Sequence, residues 1–564
     1  MKKINRRKFL ENSTLLTAST FVLGAAGIPA ITWKGNSFDI VISNGLIIDG
    51  TGSKEFRADI GIKDGKILAL ENLKSASADR IIDATGLKVT PGFIDIHTHT
   101  DLGVLSNPNG ESKVRQGITL EISGNCGESF APVNPEKLSE INERFEEKYG
   151  TTVANNSMGA FLNMLSGQKF SVNQATLLGL GTIREICVGM DDRPATVDEM
   201  RRMKYEIQKA IEEGAFGLAS GLEYTPGSFA STEELIEVCG SVPQGKTKLY
   251  ATHMRNEDDF GEEAVDEAIK IALESGCRLQ MSHLKASGKS NWHKAESLLN
   301  KMDEAVKNGL EVHADRYTYV AYHTGLGNLF PLWARDGGNE SFIQRLQNDS
   351  LLIEMRKYSD KKAMNLDGDW AGVVISGINN TDYQIFKGKS IKEISQQLGK
   401  DPFDTAVDLL INSSADVSMV GFGMSEKSTE KILSHPRVMI ASDAGAHAPY
   451  PPMNNRIAHP RAYGTFPRAI GKYVRERNIC SLEEMIKKMT SMPADKLFIK
   501  NRGRIKQNNF ADITIFDFNT IEDRATFLDP HQYPKGIPYV IVNGKVVIDE
   551  GRHTGERPGV LLRS

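Results

Sequence analysis

His97, His99, Cys126, His253, His283 and Asp443 are scattered over about 350 positions, yet each one closes a short apolar run. Two imidazoles two residues apart, a thiolate, two further imidazoles and a carboxylate make a donor set suited to Zn2+. In Phe93-Ile94-Asp95-Ile96-His97-Thr98-His99, residues two apart in extended chain share a face, so both imidazoles can address one ion. Asp95, Thr98 and Asp101 stand nearby as supporting acceptors. Asn125-Cys126-Gly127 reads as a tight turn that projects the sulfur beyond a strand end. Cys126, His253 and His283 give three protein ligands, the number that leaves a position for water in a catalytic zinc site, and Asp443 can take a proton from that water. His293, His313, His435, His531 and His553 read as packing or surface residues, whereas His323, His447 and His459 fall near the same strand ends and stay open.

These side chains need a frame that brings distant strand ends together. Eight short β-branched runs alternate with amphipathic stretches: 92–96, 118–122, 176–179, 215–219, 248–251, 278–281, 310–314 and 438–441. Spacers such as 196–213, 262–275 and 294–308 carry apolar residues at helical spacing, and the alternation predicts parallel βα units. The fold expected is α/β, a (β/α)8 TIM-like barrel over 91–499, whose functional groups sit at the C-terminal strand ends. About 120 residues separate the seventh run from the eighth, far beyond an ordinary connection. An insertion over about 322–434, expected to be helical, would form a lid. Alternating strands with the turn signals Asn44-Gly45 and Asp64-Gly65 over 37–90, echoed over 500–564, predict one small β-sandwich domain built from both termini.

Composition narrows the partners. Of 564 residues 40% are hydrophobic and 25% charged, with a net charge of -4, which suits a large enzyme body and argues against nucleic acid or acidic membrane surfaces. Arg6-Arg7 followed by a weakly apolar stretch in residues 1–30 resembles a twin-arginine export signal, so a periplasmic location is expected. No later segment is apolar over the roughly 20 residues a membrane span needs. Five scattered cysteines do not form a disulfide framework. Export in the folded state would protect a thiolate already holding its metal.

The motifs Gly-Phe-Ile-Asp-Ile-His-Thr-His, Gly-Asn-Cys-Gly, Gly-Leu-Glu-Tyr-Thr-Pro-Gly, Ser-His-Leu-Lys, Ser-Asp and His-Pro-Arg-Ala-Tyr-Gly-Thr-Phe-Pro-Arg together resemble the D-aminoacylase (N-acyl-D-amino-acid deacylase) family of the amidohydrolase superfamily. The resemblance covers nearly all of the chain after residue 30, and the Cys126 turn is its most specific part. It implies a metal-dependent hydrolase barrel with one Zn2+ held tightly by Cys126, His253 and His283. It further implies a weaker second site near His97, His99 and Asp443, Asp443 as acid and base, and Lys285, Tyr317 and Arg461 as grips for the substrate carboxylate. A guanidinium and an ammonium suit a free α-carboxylate.

The chain departs from the family pattern at Tyr322-His323, where His323 replaces a hydroxyl contact, at Gly179-Leu180-Gly181 in place of Gly-His-Gly, and in extra residues over 450–455. The reaction implied is hydrolysis of N-acyl-D-amino acids to a carboxylate and a D-amino acid. Rival readings are a dipeptidase releasing C-terminal D-residues, a cyclic-amide hydrolase of the hydantoinase or dihydroorotase kind, and a non-catalytic barrel. The partner in the first two cases is a small molecule, and the oligomeric state is open.

Overall fold

The computed structural model describes residues 38–564 apart from 244 and 452; the export-type segment 1–30 lies outside the described residues. Eight parallel strands form the centre: β1 (Phe93–Asp95), β2 (Ile118–Ser123), β3 (Asn173–Thr176, resumed at Leu178–Gly179), β4 (Leu218–Gly221), β5 (Leu249–His253), β6 (Arg278–Met281), β7 (Val312–Arg316) and β8 (Val438–Ile440). Each pairs with the next in parallel register, for example Leu218 with Tyr250, Tyr250 with Leu279 and Leu279 with Val312. A bridge between Thr98 and Ala444 joins the ends of β1 and β8, so the barrel expected from the alternation is present. Ile94, Leu120, Ala175, Ala219, Leu249 and Met439 fill its interior, as packed parallel strands require.

The outer layer follows local sequence chemistry. Helix α1 (Val197–Glu212) starts with a reciprocal capping box between Thr196 and Glu199, an arrangement worth about 1 kcal/mol. Helix α2 (Gly261–Ser275) buries Ala264, Val265, Ala268, Ile271 and Ala272 along one stripe, and α3 (Ala295–Lys307) buries Leu298, Leu299, Met302 and Ala305. These match the helical spacers within a residue at each end. Strands β3, β4 and β7 are offset by two or three residues from the expected runs, because apolar runs continue past the hydrogen-bonded ladder.

The insertion differs from the all-helical expectation. Tyr322–Gly325 and Val373–Ile378 flank Val417–Gly421 in an antiparallel sheet, backed by Gly338–Leu346, α4 (Asp349–Met364), Ile391–Leu398 and Pro402–Asn412. Val373-Val374-Ile375 and Val417-Ser418-Met419-Val420 carry the β-branched and alternating residues that a pleated surface favours, and Phe330, Phe342, Trp370 and Phe403 give the insertion its own core.

Strands from both ends of the chain pair in one seven-stranded sheet, where Lys88–Pro91 lies between Leu46–Ile47 and Ile513–Phe516. A four-stranded sheet of residues 38–83 packs on it through Ile42, Ile60, Ile513 and Ile541. The final residues leave these sheets: Gly559 donates to Phe170 O (2.7 Å), Leu562 to Gln174 O (2.8 Å) and Ser564 to Gly214 O (3.1 Å), so the tail runs along the barrel base. Among the described residues no helix is long and apolar enough to cross a membrane, and the five cysteines are free.

Candidate active site

The strand ends turn sharply at the barrel mouth. Cys126, His283 and Asp443, which follow β2, β6 and β8, have φ of 52°, 35° and 52°, a region that side-chain-bearing residues seldom occupy and that clusters at functional sites. The Cys126 turn depends on flanking glycines. A Cβ on Gly124 would lie 2.2 Å from Leu177 O, and one on Gly127 would lie 2.6 Å from Gly221 N. Asp443 is clamped from both sides. Its own N–H donates to His97 O (2.9 Å), while the fully buried Lys113 Nζ donates to Ser442 Oγ (2.7 Å), Ala444 O (2.7 Å) and Asp95 Oδ2 (2.9 Å).

The six expected donors converge. Cys126 Sγ lies 3.3 Å from His97 Nε2 and 3.4 Å from His283 Nε2. Asp443 Oδ1 is 3.3 Å from His97 Nε2 and 3.0 Å from His99 Nε2. One donor atom each from His97, Cys126, His283 and Asp443 falls within 4.8 Å of the others, and so does one each from His253, Glu257 and His283. The cluster is therefore continuous across the two trios that the resemblance separates. The His253 ring lies edge-on to His283 at 4.5 Å, and both its nitrogens are buried without a hydrogen-bond partner. A thiolate, converging imidazoles and such orphaned ring nitrogens fit a zinc ion.

Charge in this cluster is mutually supported. Burial pushes the Cys126 thiol up, but the His97 and His283 imidazoles outweigh it and hold the thiol well below its usual range. Burial likewise raises Asp443, and Arg461, His283 and His97 outweigh that to keep its carboxyl well below the usual value. Burial works against charge on His99 and His253; Asp443 and Cys126 beside the first, and Glu257 and Cys126 beside the second, prevail and raise both to about 10. A cation that binds here must displace those protons.

Two carboxylates that the sequence reading did not single out orient the imidazoles. Asp315 Oδ1, at the end of β7, is 3.1 Å from His97 Nδ1 and accepts the His283 N–H at 2.7 Å. Glu257 Oε1 lies 2.9 Å from His283 Nδ1, close enough to orient the ring whose Nε2 faces Cys126. An acid at a strand's C-terminal end was a readable signal for Asp315. Glu257 stands four residues after His253 in irregular chain, where spacing carries no facing rule.

The expected carboxylate grips also reach the site. Lys285 Nζ contacts Glu257 Oε2 (2.5 Å) and His283 Nδ1 (2.9 Å). Arg461 donates from Nη1 to Asp443 Oδ2 (2.7 Å) and covers the Tyr317 ring at 4.7 Å, while its Nε and the Tyr317 hydroxyl are buried without partners. His459 Nδ1 accepts the Arg461 N–H (3.0 Å) and so fixes the guanidinium's root. His323 Nε2 meets Ser376 Oγ at 2.9 Å, and burial and Arg461 lower its imidazole to about 3, so it is neutral. Leu180, in place of the family's histidine, is buried in the core around the barrel. Asp443, His253, His283, Lys285, Tyr317 and Arg461 form the inner wall of a cavity of about 430 Å3, and the insertion supplies much of its outer wall.

The chain is similar to known proteins along most of its length. The profile of the amidohydrolase family matches residues 80–152 and 403–548. N-acyl-D-glutamate deacylase of Alcaligenes xylosoxydans xylosoxydans is 33% identical over 525 residues, covering 93% of this chain and 96% of the relative. D-aminoacylase of the same organism is 31% identical, covering 93% and 97%. The crystal structure of N-acyl-D-glutamate deacylase from Bordetella bronchiseptica, complexed with zinc and a phosphonate mimic of the tetrahedral intermediate, superposes with a TM-score of 0.78 at 31% identity, covering 94% of this chain and all of that one. The chain belongs to the amidohydrolase family, in the group of the D-aminoacylases and N-acyl-D-amino-acid deacylases.

Proposed function

We propose that this protein is a zinc-dependent deacylase that cleaves N-acyl-D-amino acids into a carboxylate and a D-amino acid. The observation that carries the reading is the convergence of Cys126, His97, His283 and Asp443, two of which, His283 and Asp443, line a cavity that also presents Arg461, Lys285 and Tyr317. Zinc, when bound, supplies a Lewis acid for the scissile carbonyl and makes water more acidic. Cys126, His253 and His283 would hold it, with His97, His99 and Asp443 offering a second, weaker position. Asp443, ionised at neutral pH, accepts a proton from the attacking water and delivers it to the leaving nitrogen. The unpartnered Nε edge of Arg461 and the Tyr317 hydroxyl receive the α-carboxylate, and Lys285 turns from Glu257 to complete the grip.

A dipeptidase acting on D-terminated dipeptides is the second reading, supported by Glu223, which lines the cavity 3.6 Å from His253 and could meet a free α-ammonium. Export to the periplasm by residues 1–30 is part of the proposal and is supported by Arg6-Arg7 and the apolar stretch after them.

The test is metal analysis coupled to hydrolysis of N-acetyl-D- and N-acetyl-L-amino acids beside D-terminated dipeptides. Turnover of the D-series at bound zinc is the expected result. Zinc-loaded protein that cleaves only the L-series, or neither, would overturn the reading.

A further inference from the structure

The cavity above the carboxylate grips contains charge that is already used. Four cationic side chains line it, and each is paired: Lys285 with Glu257, Arg461 with Asp443 (2.7 Å), Lys361 with Asp259 (2.8 Å) and Lys362 with Asp258 (3.3 Å). A fifth acid, Glu223, lies 3.6 Å from His253, an imidazole that must be neutral to hold a metal, and shares the Lys362 charge with Asp258, so the acids of the wall outnumber its cations. Once Arg461 and Lys285 engage an α-carboxylate, the remaining wall is acidic.

The rest of the lining is apolar. Leu329 and Leu366 are buried in the wall, and Phe260, Met364 and Tyr358 stand about the opening with 62%, 59% and 37% of their surface exposed. Isolated exposed apolar residues are ordinary, but three around one cavity mark a surface that is covered in use.

We propose that the site selects substrates with a single carboxylate and an apolar group directed at this opening, and rejects N-acyl derivatives of acidic D-amino acids. The inference rests on the deacylase reading and departs from the substrate named for the N-acyl-D-glutamate deacylase relative. A second carboxylate would be desolvated beside Glu223 with no unpaired cation to meet it, which like-charge repulsion makes unfavourable. An apolar group would instead cover Phe260, Met364 and Tyr358, with each added methylene raising kcat/KM by roughly three- to fourfold. The group can belong to the amino-acid side chain or to the acyl chain.

The experiment compares kcat/KM of the full-length, zinc-loaded enzyme for N-acetyl-D-leucine, N-acetyl-D-phenylalanine, N-acetyl-D-aspartate and N-acetyl-D-glutamate, and for N-octanoyl-D-alanine beside N-acetyl-D-alanine. The expected result is a preference of at least about tenfold for apolar over acidic side chains. If the side chain faces the opening, leucine and phenylalanine outrun alanine; if the acyl chain does, octanoyl outruns acetyl. Acidic substrates within tenfold of the apolar ones, or a flat response in both series, overturn the inference and leave the deacylase reading standing. Failure of every D-substrate overturns both. Asp258→Asn, which removes one of the two acids beside Lys362, and Met364→Arg, which adds a cation at the exposed rim, should each raise the glutamate-to-leucine ratio at least about fivefold. An unchanged ratio in both variants removes charge pairing as the cause.

Discussion

At the base of the barrel, Lys496 Nζ is almost wholly buried and donates to the carbonyls of Leu279 (2.7 Å) and Glu311 (3.3 Å), while Arg278 Nη1 donates to Lys496 O (2.6 Å). At the mouth, Cys126, His97, His283 and Asp443 are equally buried, but they contact one another, and His253 and Tyr317 leave polar atoms without partners. The base meets its buried lysine chiefly with main chain, the Glu311 carboxylate standing farther off at 3.8 Å, and that main chain cannot move without unfolding strands. The mouth satisfies its charge with opposed side chains, which a metal ion and a substrate carboxylate can re-pair. At the mouth the backbone after β2, β6 and β8 also adopts left-handed φ values at Cys126, His283 and Asp443.

The comparison is tested most severely at Asp443. Asp443→Ala should lower kcat by about 10²–10⁴-fold, the usual worth of a positioned acid–base group, while far-UV circular dichroism stays that of the native barrel. Turnover near the wild-type rate in that variant would mean that the mouth's charge is structural, like the base's.

The next effect separates ligands within the mouth. After dialysis against a chelator and back into zinc, Cys126→Ala should retain less metal than His97→Ala, because a thiolate is the stronger donor and belongs to the tighter trio. Equal zinc content in the two variants would sink that ranking. In the unsubstituted protein, chelation should abolish hydrolysis and added zinc should restore it.

A third, smaller effect lies where the two kinds of charge meet. Lys113 resembles the base lysine in being wholly buried, yet its bonds to Ser442 Oγ and Ala444 O bracket the strained Asp443. Lys113→Met should cost about 3–5 kcal/mol of stability by leaving Asp95 uncompensated. It should also lower kcat roughly 10- to 100-fold with KM and zinc content unchanged, since misplacement of a reacting group is costly. Lys113→Arg should recover part of the rate. A loss of stability in Lys113→Met with kcat intact would class the lysine with the base.

What sequence made legible follows from the range of each interaction. Parallel alternation and strand-end placement are local patterns, so the eight runs and the convergence of His97, Cys126, His283 and Asp443 could be read from residues in order. Asp315 and Glu257 reach His97 and His283 across 218 and 26 positions, and Lys113 reaches Ser442 and Ala444 across 329 and 331, and no local periodicity encodes such pairings. The antiparallel sheet of the insertion was hidden for a related reason: its middle strand, Val417–Gly421, pairs with segments about 40 and 95 residues earlier. The run of the tail along the barrel base is likewise a long-range pairing, between Leu561 and Gln174.

The smallest effect belongs to the base alone. Burial, more than any neighbouring charge, lowers the Lys496 ammonium from 10.5 to about 7. Below pH 7 folded and unfolded chains both carry this proton. Between pH 7 and 10.5 the unfolded chain holds a proton that the folded chain lacks, so this group makes stability rise with pH across that window. Lys496→Met should leave kcat/KM unchanged and flatten the rise by on the order of 2 kcal/mol between pH 7 and 9.5, read from urea unfolding of both proteins at the two pH values. Parallel unfolding profiles would show that Lys496 stays charged in the folded state, held by the Leu279 and Glu311 carbonyls. In that case two main-chain carbonyls, with the Glu311 carboxylate 3.8 Å away, stabilise a buried cation at the base as effectively as the opposed side chains do at the mouth.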